Sequence, residues 1–342
     1  MKQHSAVSRR HFLRQTIALA GAAGFQMAAR SAVRAAPAPA AQPARKPIPV
    51  ILATDIGDDI DDTWALGFLL RCPELDLKLV LGEYGKTQYR AKLIAKFLQT
   101  VGRPDIPLAL GADADPRGEG AQAGWIRNYD LNSYPGKVHR DGAQAVIYTI
   151  NQSPEAVTVI SIAPMPNLAA ALARAPQIAR RARFVGMDGS LRLGYNGSKT
   201  VSAEWNVKAD ARACQAVFAA PWEKTITPLD TCGVVKLEGE RYRRLCDSKN
   251  PVAATVIENY RLWSRANNNQ DTAAESHSSV LFDTVAVYLA FARDFCRMES
   301  LGVLISDDGF TRIDEKGNRV NAATAWKNLD GFCDLLVSRL LA

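Results

Sequence analysis

From Pro47 onward, short apolar, β-branched runs alternate with longer stretches whose apolar positions recur every three or four residues. KPIPVILAT (46–54) reads as a buried strand and DDTWALGFLLRC (61–72) as a helix. LDLKLVLGEY (75–84) is a second strand, and TQYRAKLIAKFLQTVG (87–102) an amphipathic helix. The alternation continues through IPLALGA, AQAVIYTINQ, AVTVISIAP, NLAAALARAPQIARRA and ARFVGMDGS, read in turn as strand, helix, strand, helix and strand. This rhythm predicts an α/β fold with an open, doubly wound, mostly parallel sheet, a Rossmann-like core in a single domain. In such folds ligands bind at the carboxyl ends of strands, so chemistry is sought just after them.

The first forty residues break the rhythm. SRRHFLR (8–14) precedes an apolar, Ala-rich run and then SAVRAAPAPAAQPARKP, which is rich in small residues. Paired arginines, a moderately apolar stretch and an A-x-A site resemble a twin-arginine export signal. The apolar run is too short for a committed membrane span, so no stable membrane anchor is expected. The expected division is a signal at 1–40, an Ala/Pro linker at 41–47 and a catalytic domain at 48–342, with the product periplasmic or secreted. Removing the signal changes the charge: the whole chain carries +7, but residues 1–40 hold six Lys and Arg and no acid, which leaves +1. The basic balance belongs mostly to the signal and implies no nucleic-acid partner. Six cysteines without a C-x-x-C pair suggest neither a zinc site nor a disulfide framework.

Candidate chemistry concentrates in ILATDIGDDIDDTWAL (51–66), which holds Asp55, Asp58, Asp59, Asp61 and Asp62. One aspartate suffices to cap a helix, and five repel one another unless a cation compensates them. With no Lys or Arg in the stretch, a hard divalent cation held by oxygens is expected, calcium or magnesium rather than zinc. Three later segments follow the same logic. Pro166, in the proline-punctuated turn before Asn167, offers a backbone carbonyl. Glu204 and Asn206, two apart, suit sugar hydroxyls, which need both acceptors and donors. Asp283 is the one charge in the apolar run SVLFDTVAVYLAF and needs a partner or a metal.

In order, Asp55…Asp61-Asp62-Thr63-Trp64-Ala65-Leu66, Ala163-Pro164-Met165-Pro166-Asn167, Met187-Asp188-Gly189, Ala203-Glu204-Trp205-Asn206 and Phe282-Asp283-Thr284-Val285-Ala286 resemble the inosine-uridine-type nucleoside hydrolase family. The resemblance runs from about residue 48 to the end. It implies a calcium ion at the bottom of a pocket, hydrolysis of a ribosyl N-glycosidic bond by a metal-bound water, and a homo-oligomer, dimer or tetramer. It further implies that Asp55 is the general base, that Asp55, Asp61, Asp62, the Pro166 carbonyl and Asp283 are metal ligands, and that Asn196, Glu204 and Asn206 bind the ribose over Met187. His139 resembles a residue of the family's pocket-edge loop. Asp58, Asp59, Trp64, Glu83 and Phe282 are candidates for the layer around these groups.

The chain departs from the family pattern at four places. Ala53 stands where the first aspartate is usual, and the Ile56–Ile60 loop carries two extra residues. Glu83 replaces an amide, and Pro166 replaces a threonine of which only the carbonyl is needed. Phe282 replaces the histidine that often protonates the leaving base. Without it, the base is expected to stack on Trp64, Tyr134, Trp205 or Trp263, or to receive its proton from His139 or His277. Two other readings remain open: a binding protein that lost turnover, and a metal-assisted phosphoester hydrolase, for which the candidate loops supply only Arg192 and Lys199.

Overall fold

The computed structural model describes residues 46–112, 118–267 and 273–342. The signal-like segment 1–40 and most of the 41–47 linker lie outside the described residues. Ten strands form one sheet: β1 Ile48–Thr54, β2 Leu75–Gly82, β3 Leu108–Leu110, β4 Val138–His139, β5 Val157–Ile162, β6 Ala182–Met187, β7 Lys224–Thr227, β8 Cys296–Ile305, β9 Thr311–Ile313 and β10 Asn318–Trp326. Their order is β4-β3-β2-β1-β5-β6-β7-β10-β8-β9.

The sheet is parallel from β4 through β10, and only β8, between β10 and β9, runs antiparallel to its neighbours. Helices α1 (Asp61–Leu70) and α2 (Thr87–Thr100) follow β1 and β2 in the expected places. The solid apolar runs of the early strands are explained by burial on both faces. Along β1, Val50 and Leu52 face one core cluster, and Ile51 and Ala53 face the other. The antiparallel C-terminal hairpin was not foreseen, because β8 and β10 mix polar and apolar positions in a half-exposed edge.

Strand order fixes where the site must be. From β1 the chain winds outward to β2, β3 and β4, and then returns to place β5 on the other side of β1. The loops leaving β1 and β5 therefore diverge, and a crevice opens between them at the strands' carboxyl ends. The acidic turn leaves β1 at this point. Among the described residues no helix is long and apolar enough to cross a membrane, and all six cysteines are free thiols.

Candidate active site

The crevice is lined by Asp55, Asp58, Asp59, Asp61 and Asp62 from the β1–α1 turn, and by Ile162 and Met187, the last residues of β5 and β6. Tyr195, Glu204, Trp205, Asn206, Phe282 and Asp283 complete the wall.

The turn is built from its own backbone outward. Gly57 sits at φ +106°, and a Cβ there would lie 2.4 Å from the Tyr89 ring, so glycine is needed on both counts. Tyr89 Oη donates to the Gly57 carbonyl at 3.0 Å. Arg90, fully buried on α2, donates to the Asp55 carbonyl, to the Ile56 carbonyl at 3.0 Å and to Asp58 Oδ2 at 2.9 Å. It also donates to the carbonyls of Tyr84 and Gly85, in a turn where Tyr84, Gly85 and Lys86 all have φ between 47° and 63°. That left-handed run brings Lys86 onto the Asp58 carboxylate. The expectation that only a metal compensates the acidic run is corrected in part. Cations from the next β-α unit neutralise Asp58, and local sequence cannot show them. Burial opposes ionisation of Asp58, but Arg90 and Lys86 outweigh it and hold its carboxyl below the usual range.

The other carboxylates of the turn form no ion pair among the described residues. Asp61, Asp62 and Asp283, all buried, each offer an oxygen, and these oxygens lie within 4.8 Å of one another. Asp61 and Asp62 open α1, and Asp283 directly precedes the helix Thr284–Leu289. The Asp283 amide donates to Asp61 Oδ2 at 3.3 Å, and Thr54 Oγ1 donates to Asp62 Oδ1. None of the three forms an ion pair among the described residues. Burial, then repulsion from neighbouring carboxylates, Asp55 and Asp59 among them, pushes all three pKa values well above the carboxylate range. A cluster of hard oxygens that repel when ionised fits a hard divalent cation. Asp55, one residue beyond β1, lies outside the group of three and has its pKa raised to about 6, chiefly by burial, with Arg90 opposing.

The family model for inosine-uridine preferring nucleoside hydrolases matches residues 50–331. The chain belongs to this family. It is an N-glycosyl hydrolase of metal-dependent type. It is 28% identical over 320 residues to the pyrimidine-specific ribonucleoside hydrolase RihA of Citrobacter koseri, covering 86% of this chain and 98% of the relative. The RihA of Salmonella typhi is 27% identical over 315 residues, with 86% and 98% covered. Among solved structures, a plant nucleoside hydrolase, the PpNRh1 enzyme, shares the fold with a TM-score of 0.71 at 22% identity, over 86% of this chain and 99% of that one. A purine-preferring ribonucleoside hydrolase from Gardnerella vaginalis does so with a TM-score of 0.69 at 19% identity, over 85% and 98%.

In this nucleoside hydrolase the crevice gathers Asp55, Asp58, Asp59, Asp61, Asp62, Met187, Glu204, Asn206, Phe282 and Asp283 from the sequence candidates. Glu204 caps the helix Trp205–Ala209 and accepts from the amides of Gly189 at 2.9 Å, Asn206 at 2.8 Å and Val207 at 3.3 Å. Burial lifts its pKa to about 7 despite those bonds. Asn206 Nδ2 donates to the Met187 carbonyl at 3.0 Å, which fixes the amide against the floor.

Other candidates stand elsewhere. Asn196 is exposed in a left-handed turn at φ 58°, and its neighbour Tyr195 faces the crevice instead. His139 is on the edge strand β4 beside Tyr148, three strands from β1, and does not line the crevice. Trp64 is wholly buried against Tyr242 and Tyr260, so it cannot stack on a base. Tyr134 is buried with its hydroxyl on the Ile106 carbonyl, and Trp263 donates to the Asp58 carbonyl at 3.0 Å. Of the four proposed stacking rings, only Trp205 lines the crevice. Pro166 is the first residue of the helix Pro166–Arg174 and is not among the lining residues. Glu83 turns away from the crevice: it accepts from the Asn167 amide and side chain and the Leu168 amide, and so caps that same helix. Arg192 pairs with Glu299 and Lys199 is exposed, so neither supplies the phosphate grip a phosphoesterase requires.

Sequence reasoning missed Thr54, Arg90, Lys86 and Tyr195, and it quoted Asp188 in the Met187-Asp188-Gly189 motif without giving it a role. Asp188 is fully buried beneath the floor, and neither carboxyl oxygen has a hydrogen-bond partner among the described residues. Burial, then the charge of Glu204, pushes its pKa well above the usual range.

Proposed function

We propose that this enzyme is a calcium-dependent nucleoside hydrolase that splits a ribonucleoside or related ribosyl compound into base and ribose by direct displacement with water. The observation that carries the reading is the buried trio Asp61, Asp62 and Asp283, in no ion pair among the described residues, beside a separate carboxylate, Asp55, with its pKa raised to about 6. Calcium bound there supplies Lewis acidity toward water and a grip on the ribose diol. Asp55 accepts a proton from the attacking water; a pKa of about 6 leaves it mostly ionised at neutral pH while keeping it basic enough to serve. Glu204 and Asn206 hold ribose hydroxyls over Met187, and the surrounding carboxylates stabilise the positive charge that develops on the sugar.

With water attacking directly and Asp55 as its base, the anomeric carbon inverts. The twin-arginine-like SRRHFLR segment supports action outside the cytoplasm. The test is a nucleoside panel with reducing-sugar detection, run with calcium and again after chelation. Ribose release that disappears on chelation and returns with calcium is expected. Tight nucleoside binding with no ribose release from any member would show a binding protein instead.

A further inference from the structure

Breaking an N-glycosidic bond leaves an electron pair on the departing base, and a proton delivered to that base lowers the barrier. Direct displacement by water on the Asp55 side expels the base from the opposite side of the anomeric carbon, away from the β1–α1 turn that carries five of the crevice carboxylates. The aromatic part of the lining comes from other elements. Tyr195 and Trp205 belong to the segment that follows β6, two strands from β1, and Phe282 precedes Asp283. Such faces suit a flat heteroaromatic ring.

The loop is built to present Tyr195. A Cβ on Gly194 would lie 2.3 Å from the Thr200 carbonyl oxygen, and the Gly194 amide donates to the Ser198 carbonyl at 2.8 Å. The Tyr195 amide donates to Ser202 Oγ at 3.4 Å, and the Ser202 amide donates to Ser190 Oγ at 2.9 Å. The half-buried ring meets Phe282 edge-to-face at 6.1 Å. Its hydroxyl accepts from the Trp205 amide at 2.9 Å and donates to nothing among the described residues, so its proton is available to the crevice. Burial, then the charge of Glu204, pushes the phenol pKa up, and the hydroxyl keeps its proton across the working pH range. The other donors are engaged or misplaced. Asn206 Nδ2 is held by the Met187 carbonyl, and Glu204 accepts three backbone amides. His139 is on the edge strand, and His277 Nδ1 is engaged with the Ser278 carbonyl.

We propose that Tyr195 is the catalytic residue that donates its hydroxyl proton to the leaving base. The inference rests on the nucleoside hydrolase reading above. Water oxygen bonds to C1′ as the C1′–N bond breaks, and the bonding pair passes to the ring that leaves. Asp55 takes the water proton, and the Tyr195 O–H proton moves to the base as its charge develops. Asp55 then releases a proton to solvent and the Tyr195 phenolate takes one up, so the enzyme returns to its starting form.

The experiment measures kcat and KM of the parent and of Tyr195→Phe on the best nucleoside of the panel and on 4-nitrophenyl riboside, whose phenolate leaves without a proton. On the nucleoside, Tyr195→Phe should lower kcat by about a hundredfold, the lower end of general acid catalysis, with KM within about threefold. On 4-nitrophenyl riboside kcat should stay within about threefold of the parent. A hydroxyl that only packs the loop and holds the Trp205 amide would affect both substrates alike. Equal losses on the two, or no loss on the nucleoside, therefore overturn this inference and leave the hydrolase reading intact, whereas no ribose from either substrate with the parent overturns both. Because the Phe282 ring lies against the Tyr195 ring, Phe282→His in the Tyr195→Phe background sets a new donor beside the lost one. It should return at least about tenfold in kcat on the nucleoside and add nothing on 4-nitrophenyl riboside. An equal gain on both substrates would contradict proton delivery from this corner of the crevice.

Discussion

Asp58 and Asp61 stand three residues apart in one turn, yet the fold treats them oppositely. Asp58 receives Arg90 and Lys86 and is held ionised, and its carbonyl is tied to Trp263. Asp61, with Asp62 and Asp283, is buried against other carboxylates and given no cation. The ion pairs of Arg90 and Lys86 with Asp58, against none for the three neighbours among the described residues, support the proposed cation at those three. Asp58 thus forms a braced corner that fixes the path from Asp55 to Asp61.

The largest effect should come from Asp55→Ala. If the uncompensated side carries the chemistry, kcat falls by about 10²–10⁴-fold with calcium binding retained, read by steady-state kinetics beside calorimetry. Unchanged turnover would remove Asp55 as the base. Arg90→Ala probes the braced side: stripping a buried pair of one partner should cost about 3–5 kcal/mol in denaturant unfolding, with Asp58→Asn restoring part of it in the double variant. A loss below about 0.5 kcal/mol, the range of an ordinary surface change, would show that the brace is ornamental.

A third probe uses pH. The raised carboxylates contribute stability that is fully present below their ordinary value of 3.8 and is lost as pH rises, through about 6 for Asp55 and well above the ordinary carboxylate range for the trio. The metal-stripped enzyme should therefore melt lower at pH 8 than at pH 5, and added calcium should raise Tm more at pH 8. A calcium effect that is larger at pH 5 would mean that the trio is not the acceptor. The smallest effect belongs to Glu83→Gln. As a cap of the helix Pro166–Arg174, Glu83 should cost about 1 kcal/mol of stability when changed, with kcat/KM nearly preserved. A tenfold activity loss with unchanged stability would put it on the substrate.

The central strands and the acidic turn were legible because both are local patterns: solid apolar runs for strands buried on both faces, and charge without a neighbouring counter-charge. Arg90 was not legible, since it reaches Asp55 and Asp58 from more than thirty residues away and looks in sequence like any polar helix residue. Trp64 misled for a different reason. α1 is buried on nearly every side, so no periodicity marks which positions face the crevice and which the core. His139 depended on strand order, which sequence spacing does not give. At Asn196 a single left-handed residue decides that Tyr195 lines the crevice and the asparagine points to solvent.

The most direct test of the contrast between braced and open aspartates is a calorimetric titration of calcium into the chelator-treated enzyme, compared with Asp61→Asn and Asp58→Asn. One ion per chain is expected in the parent, binding in Asp61→Asn should be lost, and Asp58→Asn should bind within a few-fold of the parent. Absence of a binding isotherm in the parent, or loss of calcium in Asp58→Asn with retention in Asp61→Asn, would contradict the account.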